Sequence, residues 1–281
     1  MRAGLVQLSS SDDPAANLSE TRGLLRRAVA EGADFVLTPE VTNCVSTSRS
    51  HQNAVLQTET EDITLAGLRE EAARAGVWLL IGSLALKTGA PEDARFANRS
   101  FLIGPDGGIV ARYDKIHMFD VDVSETESYR ESEGFRPGDR AVLARTPFAL
   151  LGLTICYDIR FAHLYRALAQ AGAEVLTVPS AFSPVTGAAH WEVLLRARAI
   201  ECGVFVLAPA QTGQHGLSRG RARATYGHSL IVAPWGEVLA DGGTDPGVVV
   251  ADLDLAAVQD ARARIPALSH DRAFAAPAEG D

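Results

Sequence analysis

Two short patterns each occur twice in this chain of 281 residues, and they constrain its fold more than any other feature. GADFVLTP (32–39) is echoed by GAEVLTVP (172–179), and GVWLL (76–80) is echoed by GVFVL (203–207). A helix is predicted before each of the four segments, and a glycine after a helix is typical of a left-handed C-cap. The repeated order predicts an α/β protein with two similar halves, whose two sheets pack face to face under outer helices.

The remaining helix and strand signals fit this order. Helices are predicted over about 14–31, 63–75, 161–171, 188–202 and 255–264. Strands are predicted near 2–8, 34–37, 77–82, 97–103, 109–113, 142, 151–155, 175–178, 204–208, 229–233 and 248–252. The sequence PDGG (105–108) is typical of a hairpin turn. The polar segment 119–139 is interpreted as a loop.

Composition narrows the class of protein. Hydrophobic residues make up 47% and charged residues 22% of the chain, as in ordinary globular domains. No apolar run approaches the roughly 20 residues that cross a bilayer, and no signal peptide is evident. The formal net charge of −9 argues against a nucleic-acid partner. Three cysteines without metal-ligand spacing are typical of free thiols, so we predict a cytoplasmic protein that binds neither nucleic acid nor membranes.

One of these cysteines follows a predicted strand directly. The apolar run FALLGLTI (148–155) leads into Cys156, after which Tyr157, Asp158 and Arg160 are polar or charged. Open α/β folds bind ligands at the carboxyl edge of their strands, which is where this thiol is expected. A lone cysteine is more often a buried structural residue. Cys156 therefore needs partners before a catalytic interpretation is preferred.

Three charged residues are candidates for those partners. Glu40 follows Pro39 at the end of a predicted strand, Lys115 lies in RYDKIHMFD, and Glu131 lies in SYRESEGFRPGD. Each alone is typical of a solvated surface residue. Three further glutamates lie close to Glu131 in the sequence: Glu125, Glu127 and Glu133.

Together these segments resemble the nitrilase superfamily of carbon–nitrogen hydrolases. The matching stretches are LTPE, YDKIHMFDVD, YRES with FRPGD, GLTICYDIRF, AHWEVLLRARAIE and TYGHSLIVAPWGEVLA. Within the superfamily the chain is most similar to the Nit-type amidases. The resemblance implies a four-layer αββα sandwich, one hydrolase domain over 1–272, pairing into homodimers or higher homo-oligomers, and neither cofactor nor metal. The Ala/Pro/Glu-rich tail 273–281 is predicted to be frayed.

The resemblance also assigns chemistry to the four residues. A thiol is mostly protonated at neutral pH and needs a base, so Cys156 is the expected nucleophile and Glu40 its base, with a pKa raised by burial. The oxyanion that forms on attack needs fixed donors, and Lys115 and the backbone N–H of Tyr157 are expected to supply them. Glu131 is expected to orient Lys115 and the leaving amine. Ammonia leaves, and water then hydrolyses an acyl-thioester.

Basic residues suggest the substrate side of the site. Arg219, Arg221 and Arg223 lie in the glycine-rich GLSRGRARATYGH, where they either bind a substrate carboxylate or form a solvated loop. Arg160 either binds the same carboxylate or is held by a neighbouring acid. Phe182 is a candidate for the pocket wall.

Several functions remain open from the sequence. The preferred one is cleavage of a primary amide in a small carboxylate-bearing substrate, as in deaminated glutathione amidases. Omega-amidase activity on α-ketoglutaramate-type amides and hydrolysis of N-carbamoyl amino acids or nitriles are alternatives with the same triad. A Cys–His hydrolase would use His117, His163 or His190 as base, and a non-catalytic sensor or scaffold would retain no reactive thiol. Metal-dependent hydrolysis is disfavoured because the sequence holds no HExxH motif.

Overall fold

The computed structural model describes residues 1–90, 92–123 and 128–276. Its α-helices are α1 (Pro14–Ala30), α2 (Arg49–Val55), α3 (Ile63–Ala75), α4 (Ala162–Gln170), α5 (Pro184–Cys202) and α6 (Ala256–Arg264). Its strands are β1 (Arg2–Gln7), β2 (Phe35–Leu37), β3 (Trp78–Lys87), β4 (Phe96–Ile103), β5 (Ile109–Asp114), β6 (Asp120–Asp122), β7 (Ser128–Arg130), β8 (Val142–Arg145), β9 (Leu150–Leu153), β10 (Val175–Thr177), β11 (Phe205–Ala208), β12 (Thr212–Gln214), β13 (Ala224–Tyr226), β14 (Leu230–Val232), β15 (Val238–Asp241) and β16 (Gly247–Asp252). Short 3₁₀ turns cover Glu131–Glu133, Cys156–Arg160 and Ala267–Ser269.

Two six-stranded sheets share one topology. The first has the order β16-β1-β2-β3-β4-β5 and the second the order β8-β9-β10-β11-β14-β15. In each sheet three parallel strands are flanked by antiparallel ones, and the repeated GADFVLTP and GAEVLTVP segments form the equivalent strands β2 and β10. Gly76 and Gly203 end α3 and α5 with φ of 65° and 56°, as expected of left-handed caps. The prediction of two similar halves is confirmed.

The layers follow the αββα order. Leu25 of α1 and Leu68 of α3 lie in a cluster of buried apolar side chains on the outer face of the first sheet. Leu168 of α4 and Leu195 of α5 belong to a larger cluster that also contains the strands of the second sheet and the inner face of the first. Burial of apolar surface on both faces of both sheets is the main force that holds this arrangement together.

Some sequence-based boundaries were wrong. Helix α5 begins at Pro184, one turn before the predicted start, because Ser183 caps it through its hydroxyl and proline is favoured in a first turn. The segment 119–139 is not all loop, since it contains β6, β7 and a 3₁₀ turn. Between Cys156 and α4 there is a 3₁₀ turn, so α4 begins at Ala162. The elements α2, β12, β13 and β15 were not predicted because they are short and lack a continuous apolar face.

Some predictions concern residues that the structure describes only in part. Of the tail 273–281, residues 277–281 lie outside the described residues, and Phe274 is 89% exposed. Glu125 and Glu127 also lie outside the described residues. Within the described ranges, no helix combines the length and apolar character needed to cross a bilayer.

Gly82 lies where the two sheets and the segment after β2 come closest. The pairing of β3 with β4 shifts register next to it. A Cβ at this position would overlap the carbonyl oxygen of Thr38 and would lie 2.5 Å from the Cβ of Pro179, which follows β10 in the second sheet. The absence of a side chain at Gly82 therefore lets the chain that leads to Glu40 pack against both sheets.

We expect Gly82→Ala to lower the free energy of unfolding by about 1–3 kcal/mol, because the added methyl overpacks backbone that cannot move freely. The matched control is Gly23→Ala in α1, where a Cβ would meet nothing within 4 Å. There the same change should raise the free energy of unfolding by about 0.5–1 kcal/mol, since alanine is the better helix former. Urea unfolding measures both variants. Equal effects of the two substitutions would contradict the close approach at Gly82.

Candidate active site

Four polar side chains from separate parts of the chain meet at one edge of the two sheets. Glu40 follows β2, Lys115 follows β5, Cys156 follows β9, and Glu131 begins the 3₁₀ turn after β7. All four line one cavity of about 480 Å³. The structure therefore brings together the residues that the resemblance singled out.

The ammonium group of Lys115 lies between two carboxylates. Its Nζ donates to Oε1 of Glu40 at 2.8 Å and to both carboxylate oxygens of Glu131 at 2.9 and 2.8 Å. The Lys115 side chain is only 2% exposed, so these bonds replace the water that a lysine normally holds. Glu133 also lines the cavity, but the carboxylate that bonds Lys115 is that of Glu131.

Asn98 of β4 also contacts both carboxylates, and the sequence analysis missed it. Its Nδ2 lies 2.9 Å from Oε1 of Glu40 and 3.3 Å from Oε1 of Glu131, so one amide group donates to both. The backbone carbonyl oxygen of Asn98 accepts from the backbone N–H of Lys115 at 3.0 Å. A buried asparagine inside the apolar strand FANRSFLI was the available signal, because buried polar groups need partners.

Two backbone amides complete the hydrogen bonds of the carboxylates. The N–H of Ala181 donates to Oε2 of Glu40 at 2.9 Å, and the N–H of Phe119 donates to Oε2 of Glu131 at 2.7 Å. Glu40 is thus held by donors from segments of both sheets, and Glu131 by donors from β4 and the segment after β5. A fully satisfied network of this kind keeps the carboxylates from rotating.

The pKa of Glu40 is lowered, which is opposite to the predicted direction. Burial acts to raise it, but the charge and hydrogen bond of Lys115, with help from Cys156 and Arg223, outweigh burial. The pKa of Lys115 is raised well above its usual value, because burial is outweighed by the charges of Glu131 and Glu40. The prediction was wrong because it considered desolvation without the neighbouring ammonium. Glu40 is therefore ionised at neutral pH and able to accept a proton.

Cys156 has an unusual backbone conformation at the start of its 3₁₀ turn. Its φ is 48°, a region that residues other than glycine rarely adopt, and its N–H donates to the carbonyl of Pro179 at 3.0 Å. Burial and the charge of Glu40 raise the pKa of its thiol despite the opposing effect of Lys115. The thiol is therefore neutral in the resting site, where it lines the same cavity as the carboxylate of Glu40.

The cavity walls combine aromatic rings with cations. Phe182 lines it, as predicted for a pocket wall, and so do Arg221 and Arg223. Arg49 also lines the cavity and was missed, because a single arginine at the start of a short helix gave no signal. Tyr157 lies in the wall, and its backbone N–H belongs to the first turn of a 3₁₀ helix, where amides have no intrahelical acceptor.

Arg160 and Arg219 are not among the described residues that line the cavity. The Nη2 of Arg160 lies 3.2 Å from Nδ1 of His190, and the guanidinium carbon of Arg160 lies 5.7 Å from the ring centre of Phe182. Arg219 follows Ser218, whose N–H and hydroxyl both bond the carboxylate of Asp12 and hold that end of the loop at the β1–α1 connection. The structure thus separates these two arginines from Arg221 and Arg223.

The histidine and metal alternatives find no support in the described part of the chain. No histidine there lines the cavity. The Nδ1 of His117 lies 2.7 Å from a carboxylate oxygen of Asp158, and its ring stacks on Phe161 with centroids 3.5 Å apart. No group of three or more His, Cys, Asp or Glu side chains among the described residues has the geometry of a metal site.

Comparison with known proteins agrees with this geometry. The profile of the family described as carbon-nitrogen hydrolase matches residues 2–263. The deaminated glutathione amidase of Synechocystis sp. is 39% identical over 95% of this chain and 97% of its own length. The omega-amidase NIT2 of Homo sapiens is 35% identical over 96% of this chain and 95% of its own length.

Solved structures extend the comparison to the fold. The crystal structure of Saccharomyces cerevisiae Nit3, described as a member of branch 10 of the nitrilase superfamily, has a TM-score of 0.84 and 28% identity, covering 98% of this chain and 97% of that one. An amidase mutant from Nesterenkonia sp. with acrylamide added at its active-site cysteine has a TM-score of 0.76 and 29% identity, covering 95% of this chain and 98% of that one. This chain therefore belongs to the carbon–nitrogen hydrolase family and is an amidohydrolase with the fold of the nitrilase superfamily.

Proposed function

We propose that the enzyme cleaves a linear amide of a small anionic substrate through an acyl-thioester on Cys156 and releases the amine, which is ammonia where the amide is primary. The observation that carries this proposal is the neutral thiol of Cys156 in one cavity with the ionised, buried Glu40, which bonds the ammonium of Lys115. A base in hydrogen-bond contact with the nucleophile is the arrangement that thiol catalysis needs.

In the first half-reaction the sulfur of Cys156 attacks the amide carbonyl while Glu40 takes the thiol proton. The carbonyl oxygen becomes an oxyanion that accepts hydrogen bonds from Nζ of Lys115 and the N–H of Tyr157. Glu40 then delivers the proton to the amide nitrogen, the C–N bond breaks, and the amine leaves, as ammonia where the amide is primary. Glu131 keeps Lys115 in place through its two hydrogen bonds. A positioned base and one oxyanion donor each contribute about 10²-fold or more to the rate.

In the second half-reaction water attacks the acyl-thioester. Glu40 accepts a proton from the water as its oxygen bonds to the acyl carbon, and the same oxyanion donors act again. The C–S bond breaks, the carboxylic acid leaves, and the proton on Glu40 returns to the sulfur. The site is thereby restored to its resting protonation state.

The cations of the cavity support an anionic substrate. Arg221 is exposed at the edge of the cavity. Within the described residues, the guanidinium of Arg223 donates one hydrogen bond, to the carbonyl of Ala181 at 3.4 Å. Arg49 bonds the carbonyls of Gly134 and Ala94. None of the three has a carboxylate within salt-bridge distance in the described ranges, so their charge is available to a substrate carboxylate.

Relatives suggest two substrates for this site. Several are named deaminated glutathione amidase, at 37–39% identity, and we take that activity as the first candidate. Others are named omega-amidase, at 35–36% identity, which makes an α-ketoglutaramate-type amide the second. The larger cation set favours the first, because deaminated glutathione carries more than one carboxylate.

The enzyme is further proposed to act as a cytoplasmic homodimer. Its three cysteines are all free and buried, in keeping with a reducing compartment. Helix α5 exposes Val185, Val193 and Ile200 on one face, at 58%, 67% and 54% exposure. The same face carries the ion pair of Glu192 and Arg196, so a second copy related by a twofold axis would meet both apolar and complementary charged groups.

The first prediction tests the nucleophile and the substrate together. Hydrolysis of deaminated glutathione, followed through its released amine cysteinylglycine, is expected to be faster than hydrolysis of α-ketoglutaramate, followed through released ammonia, and Cys156→Ala should lower either rate by at least about 10³-fold. Cys202→Ala is the matched control, because Cys202 is equally buried but lies in α5 away from the cavity. Activity that survives in Cys156→Ala would overturn the mechanism, whereas preference for α-ketoglutaramate would move the substrate to the second candidate.

A second prediction concerns Arg223. Arg223→Gln should raise KM or lower kcat/KM for a carboxylate-bearing amide by about 10- to 100-fold, the value of one charge-assisted hydrogen bond. A neutral amide such as propionamide should be turned over nearly as well as by the wild type. Arg219→Gln, outside the cavity lining, is the control. Equal losses on the charged and neutral amides would show that Arg223 acts on the catalytic groups instead.

A third prediction tests assembly. Val193→Asp should convert the dimer to monomers in light scattering, because it places like charges opposite each other across a twofold interface. The matched control is Val110→Asp on β5, where a valine of 48% exposure lies away from α5. A dimer that persists in Val193→Asp and dissociates in Val110→Asp would place the interface elsewhere.

A further inference from the structure

Asp158 is a fully buried acid behind the catalytic residues, and the proposed mechanism gives it no role. Its side chain is 0% exposed and accepts four hydrogen bonds. Oδ2 accepts from the hydroxyl of Tyr113 at 2.7 Å and from the N–H of Ile155 at 2.9 Å. Oδ1 accepts from the N–H of His117 at 3.1 Å and from its Nδ1 at 2.7 Å.

The donors belong to the two segments that carry the proposed catalytic groups. Tyr113 and His117 lie two residues before and two residues after Lys115. Ile155 directly precedes Cys156, and Asp158 itself lies in the same 3₁₀ turn as the nucleophile. One carboxylate therefore joins the end of β5 in the first sheet to the turn after β9 in the second.

Other bonds of the Lys115 segment do not make this connection. The N–H of Lys115 donates to the carbonyl of Asn98, and its carbonyl accepts from the N–H of Gly138 at 2.7 Å. These bonds fix Lys115 relative to its own sheet, and its Nζ bonds Glu40 and Glu131 rather than the nucleophile's turn. Within the described residues, the hydrogen bonds that link this segment to the Cys156 turn pass through Asp158.

We infer that Asp158 is a positioning residue that sets the separation between Nζ of Lys115 and Sγ of Cys156. The inference rests on the proposed roles of those two residues. Both must face the same carbonyl group, one at its oxygen and one at its carbon, so their separation has little tolerance. A displacement of about 1 Å in such a pair can cost about 10²-fold in rate.

The chemistry of the site explains why an aspartate is needed. All four of its partners donate, and an ionised carboxylate accepts through both oxygens. Burial and the charge of Asp158 raise the pKa of Tyr113, which keeps its phenol protonated as a donor. An asparagine has only one acceptor oxygen. Its NH₂ group would therefore lie against donors, either the two groups that now donate to Oδ2 or the backbone N–H of His117. The aspartate also supports the positive φ of Cys156 through the N–H of Ile155.

The test compares two buried tyrosines. Tyr113→Phe removes a hydroxyl that bonds Asp158, whereas Tyr165→Phe removes one that bonds Thr154 at 2.6 Å in the same core. We expect Tyr113→Phe to lower kcat by about 10-fold and Asp158→Asn by about 100-fold, with KM within about twofold of the wild type, because positioning acts on the transition state. Tyr165→Phe should leave kcat within about twofold.

Thermal unfolding curves of all the variants identify a temperature at which every one of them is folded. The kinetics are measured at that temperature. Unchanged kcat in Tyr113→Phe and Asp158→Asn, with only a lower Tm, would overturn the inference and leave the proposed function intact. An equal loss of kcat in Tyr165→Phe would also overturn it, since the effect would then belong to the core in general. Activity retained by Cys156→Ala would instead remove the proposed function on which the inference rests.

Discussion

The buried ammonium of Lys115 between Glu40 and Glu131 is the interaction on which the rest of the site depends. Three charges are removed from water, and their mutual attraction offsets this cost only when the geometry is good and the remaining lone pairs are satisfied. Asn98 and the amides of Ala181 and Phe119 supply those bonds. The charges follow β2, β5 and β7, and the N–H of Ala181 follows β10 of the second sheet, so the complete group forms only when these separate segments pack together.

This charge arrangement also explains how a neutral thiol can react. Burial raises the pKa of Cys156, and the charge of Glu40 raises it further, because a thiolate would add a negative charge to a site that already holds two carboxylates and one ammonium. During the proposed attack the proton moves to Glu40 as the carbonyl oxygen becomes negative. The number of negative charges around Lys115 therefore stays the same, although one of them moves from the carboxylate to the oxyanion. A fixed ammonium can stabilise both states without reorganisation.

The sequence predicted those parts of the molecule that local patterns determine. The repeated segments end in β2 and β10, and their capping glycines and buried strands follow from residue type and period alone. Glu40 and Cys156 were placed at one edge because each follows a predicted strand, and their catalytic roles were expected from the resemblance to the nitrilase superfamily. The sequence did not predict the hydrogen bonds of Asn98 and Asp158, because only the packing of distant segments brings their partners together. The pKa of Glu40 was predicted in the wrong direction for the same reason, since the position of Lys115 was unknown.

The distribution of charge within the cavity reconciles an acidic protein with the proposed anionic substrate. The formal net charge is −9, which by itself would repel carboxylates at long range. In the cavity, however, Glu40 and Glu131 are bound to Lys115, and the lining also holds Glu133 and three arginines without a carboxylate partner in the described ranges: Arg49, Arg221 and Arg223. Salt screens the distant charges more than the close ones. The local field at the cavity, rather than the net charge, therefore governs which amides the site can hold.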